Sequence, residues 1–172
     1  NSNISPGTAA LYDTGYIIED KNGSLTTIIE DNIASLDNWE AGTNSAISLN
    51  ADGNILAAAT GGTGAVKFKT DVVTLETDTK YIAQIGIAGG TDTSVVLRMD
   101  DEEIGGVKYC NGYSDVRSGT NADPIHLGVR FTSDSTNTGF YMYVGNIDDG
   151  STVIVSSFKL YKITSGNYGV AV

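Results

Sequence analysis

One cysteine, one histidine, one tryptophan and two prolines are all that 172 residues contain of these types, and each scarcity closes off a class of protein. Cys110 stands alone, so no internal disulfide can form; a small buried hydrophobe is a plainer reading than a nucleophile or an intermolecular bridge. With His126 the sole imidazole, no Ser-His-Asp or Cys-His arrangement is recognisable, and no Gly-x-Ser-x-Gly motif is present. Carboxylates abound, yet no spacing singles out a glycosidase pair. The chain is read as a non-enzyme. Basic residues are also few: ten Lys and Arg against 21 Asp and Glu leave a net charge of −11, which disfavours nucleic acid and anionic membrane surfaces as partners. No apolar run approaches the ~18 residues of a membrane helix, so no membrane insertion is expected. The N-terminus has neither a basic-then-apolar signal nor an initiator Met, and is read as a trimmed or mature end.

What the chain has is Gly, Thr and Ser, between short stretches of alternating apolar residues. A chain of this length suits one domain that buries roughly 70% of its unfolded surface without disulfide or metal. The stretch from Val66 to Met99 sets the pattern. Val66 and Phe68 alternate with Lys67 and Lys69; Tyr81, Ala83, Ile85 and Ile87 with Ile82, Gln84 and Gly86; Val95, Leu97 and Met99 with Val96 and Arg98. A period of two is the mark of strands with one face in a core. The same parity predicts Leu127, Val129, Phe131, Phe140, Met142 and Leu160 in that core.

In chain order, residues 1–14 read as an irregular polar arm and 15–172 as the folded domain. Gly15–Glu19 and Leu25–Glu30 are short strands joined through Asn22-Gly23, a pair that tolerates the positive φ of a tight hairpin. Asp31–Leu36 is read as one helical turn. Ser45–Leu49 and Asn54–Thr60 are strands. Gly61-Gly62-Thr63-Gly64 superficially suits a phosphate, but a helix must follow such a loop, and VKFKTDVV follows instead. Asp100-Asp101-Glu102-Glu103 is read as an acidic turn, Ile104–Cys110 as a weak strand, and Asn111–Asp123 as a long polar loop. Ile125–Thr132, Phe140–Val144 and Thr152–Ile163 are strands, the last with a parity shift at Ser156-Ser157 that predicts a bulge. About eleven strands at this spacing make an all-β fold, a single-domain antiparallel β-sandwich.

Several features come in an order that resembles the jelly-roll carbohydrate-binding modules of families 4, 9 and 22, in the galactose-binding-like group. They are Trp39-x-x-Gly42, the Gly turn into Asp52-Gly53-Asn54-Ile55-Leu56, the Thr79-Lys80-Tyr81 strand and the closing VIVSSFKLYKI. The resemblance spans about residues 36–163 and implies a jelly roll that binds polysaccharide. Two departures stand out. Ser156 occupies a position where the family usually has Asp, and the usual Asn-Gly-x-Phe-Glu opening is missing. Those positions often supply a structural calcium in such modules, so calcium is unsupported here and no cofactor is expected. The family's exposed Trp near the strand matching Val66–Thr70 is absent as well.

Sugar recognition needs flat aromatic faces against ring carbons and a few polar groups for hydroxyls. The candidates are Tyr141 and Tyr143 on the non-core parity of their strand, His126 and Arg130 on that of theirs, and Tyr109 and Tyr113 beside the long loop. If 125–132 and 140–144 form a hairpin, the first four share one surface. The plainer reading is that Tyr141 and Tyr143 cover a second buried face, and that Trp39 is packing. Asp100–Glu103 and Asp148-Asp149 lack the spacing of a calcium loop, so solvated turns are the simpler reading. Two functions remain: a non-catalytic glycan-binding module, extracellular or surface-displayed, or a structural subunit such as a virion decoration, tail or filament protein. In the second case the partners are copies of itself or other structural proteins, and the arm 1–14 and tail Ser165–Val172 suit assembly by adding a strand to a neighbour's sheet edge.

Overall fold

A computed structural model describes residues 14–18, 22–69, 74–101, 107–114, 119–133, 141–166 and 168–171. Thirteen strands occur among them, and no helix. They are β1 (Thr14–Ile18), β2 (Ser24–Asp31), β3 (Trp39–Ala41), β4 (Ser45–Leu49), β5 (Ile55–Ala59), β6 (Gly64–Phe68) and β7 (Lys80–Gly90), followed by β8 (Val95–Asp101), β9 (Val107–Ser114), β10 (Ile125–Thr132), β11 (Tyr141–Ile147), β12 (Thr152–Ser165) and β13 (Gly169–Ala171). Eight form one sheet in the order β13-β1-β10-β7-β12-β5-β4, with β2 also paired to β12; five form a second in the order β3-β6-β11-β8-β9. Every pairing is antiparallel. The fold is an antiparallel β-sandwich, as the alternation predicts.

Ten of the eleven predicted core residues are buried in it: Val66, Phe68, Tyr81, Ile85, Leu97, Leu127, Val129, Phe131, Met142 and Leu160. The eleventh, Phe140, lies outside the described residues. The centre of the core is aromatic. Trp39 meets Phe68 edge-on, with centroids 5.4 Å apart and planes at 88°, and Phe158 stands 5.0 Å from Phe68. Trp39 and Phe68 belong to the five-stranded sheet and Phe158 to the other, so this group joins the two layers; such ring pairs contribute beyond their buried area. Trp39 is therefore packing, and its Nε1 donates to Asp31 Oδ2 at 3.0 Å, which satisfies its one polar atom.

The bulge expected in the longest strand is present. Val155 is in register with Ile87 and Ser157 with Gly86, so Ser156 has no partner on β7. The extra residue resets the parity and lets Val153, Val155, Phe158 and Leu160 all enter the core.

Several expectations fail for identifiable reasons. Asp31–Leu36 is not helical: Asp31 ends β2, its Oδ1 accepting the Ile33 amide at 2.8 Å, and Trp39 N donates to Leu36 O across a turn. An Asp side chain that bonds its own backbone two residues on favours a turn over a helix. Asp100 and Asp101 belong to β8 rather than a turn, and β9 runs on to Ser114 into the expected loop, because the two strands pair from Asp101↔Val107 to Val95↔Ser114. The C-terminal tail is not free, since Gly169–Ala171 pairs with β1 of its own chain. The arm's residues 1–13 lie outside the described residues.

Two outcomes test this core. Phe158→Ala should lower unfolding free energy by about 3–5 kcal/mol, read from a urea midpoint that moves with little change in slope. Burial raises the Tyr81 phenol above its ordinary 10.0, opposed by its bond with the Glu76 amide and reinforced by the Glu76 charge. The unfolded chain then loses this proton first as pH climbs. The contribution is full below about pH 10 and is lost as pH rises through the elevated value, so Tyr81→Phe should flatten the alkaline arm of the stability profile.

Candidate functional site

The hairpin on which the first candidate surface depended does not form. β10 pairs with β1 and β7 in the eight-stranded sheet, whereas β11 pairs with β6 and β8 in the five-stranded one. His126 and Arg130 are thus on one layer of the sandwich, and Tyr141 and Tyr143 on the other. Consecutive strands that cross between layers cannot share an outer face.

On the five-stranded sheet, Met142 and Val144 enter the core, and Tyr143 between them is half-buried on the other side. Tyr143 is in register with Lys67 and Arg98; Lys67 continues to Glu40 and Arg98 to Asn111. One row, Glu40–Lys67–Tyr143–Arg98–Asn111, therefore crosses all five strands. Tyr113 lies in the next row, in register with Val96 and so with Gly145; Tyr141 lies in the row on the other side, in register with Asp100. Tyr109 falls at the β9 bulge, skipped between Met99↔Cys110 and Asp100↔Lys108. The sheet thus gathers four of the six candidates.

The position that sequence reasoning missed is Gly145. A Cβ there would run into Cε2 and Cδ2 of the Tyr143 ring, the latter at 2.8 Å. The ring therefore lies down along the strand over a residue that has no side chain. The available signal was Tyr-x-Gly on the non-core parity. A ring laid against a sheet presents its face, not its edge, which is the orientation that stacking on a sugar ring requires.

The other two candidates sit on the eight-stranded sheet. Arg130 is 2% exposed and its Nη1 donates to Tyr168 O at 3.2 Å, so the C-terminal segment covers it and it faces no solvent. His126 is half-buried, in register with Gly86. Burial first, and then the Lys159 ammonium, hold its imidazole below the ordinary 6.5, with Asp123 opposing.

Among the described residues, no group of three His, Cys, Asp or Glu side chains is arranged to hold a metal ion. Asp149 Oδ1 instead accepts the Gly61 amide at 2.8 Å, and Asp92 Oδ2 accepts the Asp148 amide at 2.6 Å. The Gly61 amide that a phosphate would need is already bonded to a carboxylate.

No protein-family model matches this sequence, and no curated protein matches it. Solved structures do. The CBM22-1 xylan-binding domain of Paenibacillus barcinonensis Xyn10C superimposes with a TM-score of 0.58 at 10% identity, over 86% of this chain and all of that one. The CBM22-1–GH10 part of Clostridium thermocellum endo-1,4-beta-D-xylanase 10B, solved with xylohexaose, gives 0.58 at 10% identity over 81% of this chain; the match spans only 28% of that longer chain. A point mutant of the family 29 carbohydrate-binding module CBM29-2 gives 0.54 at 12% identity, over 81% and 92% of the two chains. At such identities the likeness is one of fold. The chain has the jelly-roll fold of carbohydrate-binding modules, in agreement with the resemblance read from its sequence.

His126 supplies the test of this geometry. Being the only histidine, it can be followed by proton NMR without assignment. Its midpoint should fall below 6.5, and Lys159→Gln should raise it. Because the folded value is the lower one, the unfolded chain binds the proton first as pH drops. The associated stability is present above 6.5 and is lost as pH falls through the depressed value. A parent midpoint at or above 6.5 would contradict the half-buried placement.

Proposed function

We propose that this domain is a non-catalytic polysaccharide-binding module, working outside the cell or displayed on its surface, with the outer face of the five-stranded sheet as its binding face. The observation that carries the reading is the Tyr143 ring, laid over Gly145 in the middle of a row of charged and amide residues. Tyr143 stacks on a sugar ring, while Glu40, Lys67, Arg98 and Asn111 along the row serve hydroxyls. Tyr141 and Tyr113 in the flanking rows, with Tyr109 beside them, extend the contact to neighbouring sugar units.

Support also comes from the fold neighbours, which include xylan-binding modules. The acidic net charge is compatible with a neutral glycan, a ligand that needs no cationic surface. The assembly reading loses one of its two motivating segments, because the tail strand β13 is paired within its own chain.

Affinity electrophoresis in gels containing xylan, mixed-linkage glucan or cellulose derivatives tests the proposal. The parent should be retarded by at least one of them. Tyr143→Ala should weaken that interaction by roughly 0.5–3 kcal/mol, the scale of an aromatic anchor, with its unfolding midpoint near the parent's. Gly145→Ala should weaken binding too, although it removes no contact group, because its methyl evicts the ring from its bed. A folded Tyr143→Ala variant with parental retardation would reject this face.

A further inference from the structure

Among the described strands, β2, β3, β4, β9 and β13 each pair on one side only. Such edges invite stray pairing, and folded proteins blunt them with charge, bulges or brevity. Four of these five are blunted so. β3 and β13 have three residues each. β2 carries Glu30 and Asp31 and skips Ile28 in its register with β12. β9 carries Lys108 and is bulged at Tyr109. The fifth, β4, has none of these devices. Its five residues, SAISL, run in unbroken register with β5 from Ser45↔Ala59 to Leu49↔Ile55, and no charged residue occurs in 43–50. The open side of β4 can be assigned residue by residue. Thr60 N donates to Asn44 O and Asn50 N to Asn54 O, each at 2.8 Å. Bonded pairs alternate along an antiparallel ladder, so Ala46 and Ser48 bond β5, while the N–H and C=O of Ser45, Ile47 and Leu49 point away from it. These outward groups bond no other described residue. The side chains of the same three residues follow the core parity of β5. Ile47 packs against the core, but Leu49 is 44% exposed, the one large hydrophobic side chain exposed among the described residues.

We infer that the partner of this edge is a second copy of the chain, added antiparallel through β4 about a two-fold axis. The strand is complementary to itself. With Ile47 opposite Ile47 of the second copy, Ser45 falls opposite Leu49 and Leu49 opposite Ser45. Every outward-pointing group then meets an outward-pointing group, and each pair exchanges two backbone bonds. Charge selects the same occupant. Each copy carries −11, so two copies meet most readily where neither presents a carboxylate, and residues 43–50 are such a place. A basic partner finds no counter-charge on this strand. The two-fold axis stands perpendicular to the joined sheet, so the five-stranded layers of both copies lie on one side of it. On the reading that Tyr143 binds glycan, the dimer offers two binding faces to one polysaccharide surface and gains avidity from the second.

Sedimentation and amide hydrogen exchange test the edge itself. The full chain should dimerise as its concentration rises, and more tightly with added salt, which screens the like charges. The amides of Ser45, Ile47 and Leu49 should gain protection in step with the dimer, whereas those of Ala46 and Ser48 should be protected at every concentration. Leu49→Lys places an ammonium without a partner in the seam, and should raise the dissociation constant roughly tenfold or more. At a dilution where both are monomeric, its unfolding midpoint should match the parent's, because Leu49 is exposed there. In a xylan gel this variant should be retarded less than the parent, with an unchanged affinity for a short xylo-oligosaccharide. A gel that retards neither would reject the glycan reading, while the dimer and its exchange pattern would still stand for this one. The inference is overturned if the chain stays monomeric at high concentration, if the outward amides are already protected in the monomer, or if Leu49→Lys dimerises as tightly as the parent.

Discussion

Much of this molecule depends on a single unpaired residue in its longest strand. Without Ser156, the strict two-residue period of β12 would carry either Val153 and Val155 or Phe158 and Leu160 out of the core. A one-residue slip exchanges the faces of a strand. With the bulge in place, Phe158 reaches Trp39 and Phe68 and joins the two sheets. The same irregularity turns two serine hydroxyls outward over Gly86. One insertion thus serves the core on one side of the strand and sets two serine hydroxyls over Gly86 on the other.

The two outer faces are built on a common device, a glycine that leaves room for its neighbours. At Gly145 the room is filled by the protein's own ring, which is thereby held flat. At Gly86 it is taken up by the Ser156 and Ser157 hydroxyls. The first arrangement lays a ring along the sheet, and the second seats two hydroxyls on it. Both sit on strands whose opposite sides are packed into one core, so each is held by the rigidity of that core rather than by loops.

How much of this could be read in the sequence follows from the range over which each signal acts. Alternation is local, and IHLGVRFT shows it without interruption; β10 has the predicted limits, and Leu127, Val129 and Phe131 point inward. The shift at Ser156-Ser157 was legible for the same reason. The pairing of strands is not local. Nothing in Phe140–Val144 announces that β11 crosses to the other sheet, so the condition for His126 and Tyr143 to share a surface, a hairpin of the two strands, is not met. Arg130 shows a second limit. Its parity is outward, as read, but the cover that buries it comes from Tyr168, 38 residues further along the chain. The row from Glu40 to Asn111 joins residues from five separate strands, and only the register brings them together.

The pairing of β1 with β13 has a mechanical side. Tyr16 is opposite Ala171 and Ile18 opposite Gly169, so the chain enters β1 and leaves β13 at the same end of the pair. Tension drawn through the flanking chain therefore loads these bonds one after another, as in a zipper, instead of all together in shear. β13 is short, and it would peel away before the longer strands behind it gave. Its release would draw the Tyr168 carbonyl away from the Arg130 Nη1 that donates to it. A domain pulled from both sides would in this way present a different surface from one at rest, with its aromatic core still closed.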